Sequence, residues 1–111
     1  MHELAIMQSV VNVCEQEAAR QGFGRVERIA LAIGSVSGIV PACLEDFFPI
    51  AAKGTVAEGA KLEMRSIPAA IECPDCGYKG EIKGSACPGC GGFGYRLTAG
   101  REFYIDSLEV E

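Results

Sequence analysis

Cys73-Pro74-Asp75-Cys76-Gly77 and Cys87-Pro88-Gly89-Cys90-Gly91 are two copies of one pattern, a Cys-x-x-Cys pair followed by glycine, with ten residues between Cys76 and Cys87. Doubled pairs of this kind specify a tetrathiolate metal site, each pair offering two sulfurs to one ion. A coordination sphere closed by four sulfurs leaves no position for water or substrate. The pattern therefore reads as a structural site held by Cys73, Cys76, Cys87 and Cys90. The gap is shorter than the roughly 15 to 20 residues of common four-cysteine fingers and fits a short zinc ribbon. Gly77 and Gly91 stand where a positive φ turns backbone N–H groups toward the sulfurs. The same knuckles suit iron in a rubredoxin-like electron carrier. The short loop and the few aromatic residues around it, Tyr78, Phe93 and Tyr95, favour zinc.

Around the knuckles, residues 69–97 form a Gly-rich module bounded by Ala69-Ala70 and Leu97-Thr98. So short a segment buries too little apolar surface to fold unaided, and its order is expected to depend on the metal. On its N-terminal side, Leu4, Met7, Val11, Cys14 and Ala18 recur at helical spacing. They predict an amphipathic helix from about Glu3 to Arg20 that stops near Gly22. Ile29, Leu31 and Ile33 then alternate with Arg28, Ala30 and Ala32, a strand ending at Gly34. Pro41 opens a second helix with Leu44, Phe47, Phe48 and Ala51 on its apolar face, and Pro49 is expected to kink or end it. Leu62, Met64 and Ser66 give a second strand running to Ile67. Beyond the module, Phe103 and Ile105 share one parity and Leu108 and Val110 the other, which a bulge in a third strand, or a third strand with both faces partly covered, would reconcile. The fold class expected is α+β: two helices and three strands, residues 1–68 and 98–111, with the ribbon inserted between them.

With 111 residues the chain has room for one modest core. Fifteen acidic against ten basic residues give a net charge of −5. No dense run of Lys and Arg offers phosphates a counterion-releasing surface, so nucleic acid is disfavoured as a partner. No basic leader precedes an apolar run, and no stretch of about 18 apolar residues occurs. Neither secretion nor a membrane span is expected; six cysteines could mean disulfides, but without a leader the expected setting is the cytoplasm, where thiols stay reduced and Cys-x-x-Cys pairs bind metal. Cys14 and Cys43 lie outside the knuckles and read as small buried hydrophobes. Gly91-Gly92-Phe93-Gly94 lacks the Gly-Lys-Ser/Thr ending of a phosphate loop. With a single histidine no Ser-His-Asp set can be assembled, and the acidic pairs Glu45-Asp46 and Glu15/Glu17 read as solvated helix faces; the chain is not expected to be an enzyme.

That histidine is His2. A histidine near a terminus is usually only solvated. Here, however, the Met1 amine, the His2 amide and the His2 imidazole can chelate one ion, with Glu3 completing a four-donor tetragonal set. Such a nitrogen-rich planar set suits Ni(II) or Cu(II), whereas zinc prefers the tetrahedron the thiolates provide. Protons compete directly for these nitrogens, so the site should be pH-sensitive and release its ion readily.

The Met1-His2-Glu3-Leu4 start, a helix, an internal pair of knuckles and the ending Ile105-Asp106-Ser107-Leu108-Glu109-Val110 together resemble the HypA/HybF family of hydrogenase-maturation nickel metallochaperones. The resemblance spans essentially the whole chain. It implies an α/β nickel-binding domain, residues 1–68 and 98–111, and a zinc-ribbon domain, residues 69–97. It makes His2 the nickel ligand with Glu3 beside it, and makes Cys73, Cys76, Cys87 and Cys90 zinc ligands. Ni(II) would be transported cargo and Zn(II) structural. The implied partners are a GTPase maturation factor and the precursor of the [NiFe] hydrogenase large subunit. The chain lacks a phosphate loop of its own, which fits dependence on a separate GTPase. No histidine stands beside the zinc knuckles, a departure from what a histidine-assisted ribbon would need. Exposed strand edges leave a homodimer open. The competing readings are a zinc-ribbon scaffold or adaptor and the rubredoxin-like carrier.

Overall fold

A computed structural model describes residues 2–111; Met1, whose amine was assigned to the nickel site, lies outside the described residues. Helix α1 spans Glu3–Gln21 and buries Met7, Val10, Val11, Cys14 and Ala18 along one stripe. Gly22, at φ 82°, ends it in the left-handed region and returns its N–H to the Ala18 carbonyl at 2.8 Å. A residue with a Cβ would adopt that φ only at a cost, so the sequence stops the helix there.

Strand β1, Val26–Gly34, is the centre of the main sheet, with the parallel strand β2, Lys61–Ile67, on one side. Helix α2, Pro41–Ala52, makes the crossover between them. It opens with Pro41 at its first turn, where a missing N–H costs nothing. The helix does not break at Pro49 but runs on to Ala52. Phe48 and Ala52 on either side of the proline are both buried, and their packing offsets the one lost hydrogen bond. Ile29, Leu31 and Ile33 join the buried faces of both helices in one apolar cluster.

The antiparallel partner on the other side of β1 is the last strand of the chain, Phe103–Val110. Its change of parity is resolved by the expected bulge. Ala30 pairs with Ser107 and Leu31 with Ile105, leaving Asp106 without a partner on β1. Phe103, Ile105 and Leu108 thereby all pack on the core. The extra residue is held from two strands away: Arg65 of β2 reaches over Ala32 and donates to Asp106 at 2.6 and 3.1 Å and to the Tyr104 hydroxyl at 2.9 Å. Ala32 is small enough for the guanidinium to cross it.

This pair gives a pH-dependent prediction. Its hydrogen bond to Arg65 holds the Asp106 carboxyl below its ordinary 3.8, with desolvation opposing and the Arg65 charge assisting. A carboxyl depressed on folding stabilises the native state above 3.8, and that contribution disappears as pH falls through its lower native value. Asp106→Asn should therefore lower the urea midpoint at neutral pH, and the gap from wild type should close in acid. An equal gap at both pH values would remove Asp106 titration as the cause.

Between β2 and the last strand the chain builds a second sheet of three short antiparallel strands: β3, Ala70–Glu72, in the centre, flanked by β4, Lys79–Glu81, and β5, Arg96–Ala99. The last strand of the main sheet is accordingly β6. The fold is thus α+β, with two helices and six strands in two sheets among the described residues. Among the described residues no helix is long and apolar enough to cross a membrane.

Candidate metal sites

The two knuckles fold alike, because their sequences repeat. Cys73 N–H donates to the Tyr78 carbonyl at 2.9 Å and Gly77 N–H to the Cys73 carbonyl at 2.8 Å. In the second knuckle Cys87 N–H meets the Gly92 carbonyl at 2.9 Å, and Gly91 N–H meets the Cys87 carbonyl at 2.8 Å. Gly77 and Gly91 take φ of 79° and 74°, the left-handed turn the sequence required of them. Gly89 serves by close approach: a Cβ there would lie 2.8 Å from the Cys76 sulfur, and its N–H points at the Cys87 sulfur at 3.4 Å.

These turns bring four sulfurs within 4.8 Å of one another. The Cys73–Cys90 separation is 3.9 Å and Cys76–Cys87 is 3.6 Å. Zn–S bonds of about 2.3 Å in a tetrahedron require S···S distances of roughly 3.8 Å, so the donor set fits such an ion. Zinc bound here would neutralise thiolate charge and cross-link the knuckles, with no open coordination position. Cys73 and Cys87 are buried, while Cys76 and Cys90 face solvent. Ile71 packs under the buried pair, with Tyr78, Ile82, Tyr95 and Leu97 around it. The tyrosines also tie the loops, their hydroxyls donating to the Glu81 and Ser85 carbonyls at 2.7 Å each.

Crowding four thiols together separates their acidities. At Cys87 desolvation pushes upward, but N–H groups of Cys90 and Gly89 and the sulfurs of Cys76 and Cys73 outweigh it, and the pKa falls to about 7. At Cys76 the Tyr78 backbone N–H favours the thiolate, yet desolvation and the sulfurs of Cys87, Cys73 and Cys90 lift it to about 12. One thiolate forms readily among its neighbours and further ionisation is resisted, which a divalent cation relieves.

His2 and Glu3 sit at the opposite kind of site, the exposed start of α1. His2 is the residue before the first helical turn; its side chain makes no capping bond, and its carbonyl accepts the Ile6 N–H at 3.1 Å. Glu3 occupies the first turn, where its negative charge complements the positive end of the helix dipole. Its Oε2 accepts the Val40 N–H at 3.4 Å, linking the start of α1 to the residue preceding α2. That contact spans 37 positions and had no signal in the sequence.

The remaining polar and sulfur residues behave more locally. Cys14 is fully buried and burial raises its pKa, as befits a small hydrophobe, whereas Cys43 is only half-buried. Glu17 pairs with Arg20 at 2.6 Å on the helix surface, but Glu15 is more than a solvated group: its Oε1 accepts the Val56 N–H at 3.0 Å and anchors the loop after α2.

Comparison with known proteins adds the following. A family profile described as hydrogenase/urease nickel incorporation, metallochaperone, hypA, matches residues 1–110. The hydrogenase maturation factor HypA of Geobacter metallireducens is 41% identical over 113 aligned positions, covering all of both chains. That of Acidithiobacillus ferrooxidans is 37% identical over the same length, again with full coverage of both. The solution structure of the nickel metallochaperone HypA from Helicobacter pylori superposes with a TM-score of 0.72 at 24% identity, covering 99% of this chain and 97% of that one. A second HypA solution structure gives 0.76 at 24% identity, with 100% and 97% coverage. At that identity the two structures speak for the fold.

Proposed function

The chain belongs to the HypA family of nickel metallochaperones of hydrogenase maturation, and from that premise we propose that it captures Ni(II) at its N-terminus and hands it on toward the [NiFe] hydrogenase large-subunit precursor. The family is one of metal carriers rather than enzymes. The observation that carries the proposal is a family match running from residue 1 to residue 110, which takes in both the terminus and the four cysteines.

In this reading the Met1 amine, the His2 amide and imidazole, and Glu3 bind the cargo ion. Exposed His2, free of any capping bond, is available to it. The nickel-binding domain comprises residues 1–68 and 98–111, and residues 69–97 are a zinc ribbon whose Cys73, Cys76, Cys87 and Cys90 hold Zn(II) for structure. Hydrogenase maturation brings the protein into contact with that machinery; the specific partners proposed are a GTPase maturation factor and the large-subunit precursor. We place it in the cytoplasm, where its unpaired cysteines stay reduced.

The test is a Ni(II) titration of zinc-loaded, untagged protein with Met1 intact, comparing wild type with His2→Ala. Loss of a contact merely supporting a ligand costs about 10- to 100-fold in affinity, so loss of the imidazole itself should weaken nickel at least about a hundredfold. Bound zinc should remain at one per chain in both proteins. Stoichiometric nickel retained by His2→Ala would exclude His2 as the anchor.

A further inference from the structure

The two sheets share no broad packed face. Their apolar clusters are separate, one built on Met7, Ile29, Leu31 and Leu44 and the other on Ile71, Cys73 and Cys87. The molecule is drawn out to 53 × 25 × 17 Å. Units joined without a large apolar interface ordinarily move relative to one another. The chain passes between these two twice, outward through Pro68-Ala69 and back through Gly100-Arg101-Glu102. Nothing in two extended linkers would by itself fix the direction in which the second sheet points.

Three successive amides at and just beyond the end of β1 hold the returning linker and the last residue of β2, from which the outgoing linker leaves. Gly34 N–H donates to the Glu102 carbonyl at 2.6 Å, Ser35 N–H to Ile67 at 2.9 Å and Val36 N–H to Gly100 at 2.8 Å. The grip alternates between the returning linker, the end of β2 and the returning linker again. It is closer than any side chain would permit. A Cβ on Gly34 would lie 2.1 Å from the Gly100 oxygen, 2.3 Å from its carbonyl carbon and 2.7 Å from the Arg101 nitrogen. All three are backbone atoms, so no rotamer change could make room.

Gly100 has its own constraint, with φ at 118° and a would-be Cβ 2.9 Å from the Cα of Ala69 on the outgoing linker. The Glu102 carboxylate holds this turn by accepting the Gly100 N–H at 2.6 Å. Gly34 and Gly100 are both buried. Two linkers and one loop thus meet at a backbone crossing that only glycine satisfies on both sides.

We propose that Gly34, Ser35 and Val36 form a clamp that locks the two linkers against each other, making the α/β unit and the second sheet one rigid body whose elbow opens only when the crossing is broken. The clamp is independent of nickel and does not require the carrier reading.

The test is nitrogen-15 relaxation and residual dipolar couplings on the zinc-loaded full-length chain. Wild type should show one tumbling time and one alignment tensor for amides of α1 and β1 together with those of β3 and β5. Gly34→Ala should keep bound zinc and the chemical shifts of both interiors, yet lose the common tensor, with amides of residues 70–99 tumbling faster than the helices. Separate tensors in wild type, or one tensor retained in a folded Gly34→Ala protein, would overturn the clamp. If that variant does not fold, Glu102→Ala decides: it adds no atom, removes the acceptor of the Gly100 N–H, and should separate the tensors to a smaller degree. An unaltered single tensor there would equally overturn it.

Discussion

Stripping the proposed zinc from the protein with a chelator at neutral pH should unfold the proposed ribbon, residues 69–97, while α1, α2 and the β2-β1-β6 sheet stay folded. The asymmetry follows from how the two units are built. Apart from Ala69 at its edge, the ribbon buries only Ile71, Cys73 and Cys87, with four half-buried side chains around them, and its strands are three, three and four residues long. That is too little apolar surface to offset the conformational entropy of ordering the segment, about 1 to 2 kcal/mol for each backbone unit. Structural zinc contributes an apparent 10 to 16 kcal/mol in isolated finger peptides, more than the whole stability of many domains, and here it would be withdrawn at once. Four thiols would be left packed together without the charge that justifies their proximity.

The α/β unit has its own core of twelve buried residues among those described, Cys14 one of them and none of the four knuckle cysteines. Hydrogen exchange read by mass spectrometry should therefore show protection collapsing by about a thousandfold or more between residues 70 and 99, against little change in β1. Protection unchanged across Cys73–Cys90 after complete zinc removal would contradict a metal-dependent ribbon. Loss of protection everywhere at once would show instead that the two units unfold as one.

Leu31→Ala is expected to be the most damaging single change outside the ribbon. Leu31 lies at the middle of the central strand, paired with Met64 on one side and Ile105 on the other. It is 1% exposed in a cluster fed by both helices. Removing its branched end leaves a cavity walled by strands on two sides and helices above, which cannot collapse without moving β1. Buried Leu→Ala changes of this kind cost about 2 to 5 kcal/mol. For a domain of this size the total stability is about 5 to 15 kcal/mol, so the variant should be marginal at physiological temperature. Chemical denaturation monitored by far-ultraviolet circular dichroism measures this directly, and a loss below about 1 kcal/mol would mean the site repacks. Zinc content should be unaffected while the variant is folded, since Leu31 and the thiolates belong to separate clusters.

Much of this molecule was legible before its structure. Apolar side chains at helical spacing marked α1 through Met7, Val11, Cys14 and Ala18, and alternation at Ile29, Leu31 and Ile33 marked β1, because local geometry imposes those periods directly. The parity change in the final strand left a bulge or a strand covered on both faces open, and the structure has the bulge, at Asp106. Of the kink or early end expected at Pro49, the early end did not occur: packing of Phe48 and Ala52 carried the helix past it. Glu15 looked solvated because nothing nearby in sequence reveals that Val56 turns back to meet it.

By itself the sequence determined the two helices, the three strands of the main sheet and the clustering of the four cysteines, but not the three short strands of the second sheet. The cysteine knuckles repeat within a few residues of one another, so their turns, their glycines and their convergence on a tetrathiolate site are short-range consequences of side-chain chemistry and φ preference. The proposed nickel donors His2 and Glu3 could likewise be named from the sequence, because they are adjacent in the chain. Tertiary structure alone decided what lies between these parts: the parallel pairing of β2 with β1, the reach of Arg65 across Ala32 to Asp106, the Glu3–Val40 contact, and the crossing of Gly34 over Gly100. Each joins residues more than thirty positions apart. A glycine required by a distant backbone looks in sequence like any other glycine, because the atoms that exclude a Cβ are brought to it only when the chain has folded.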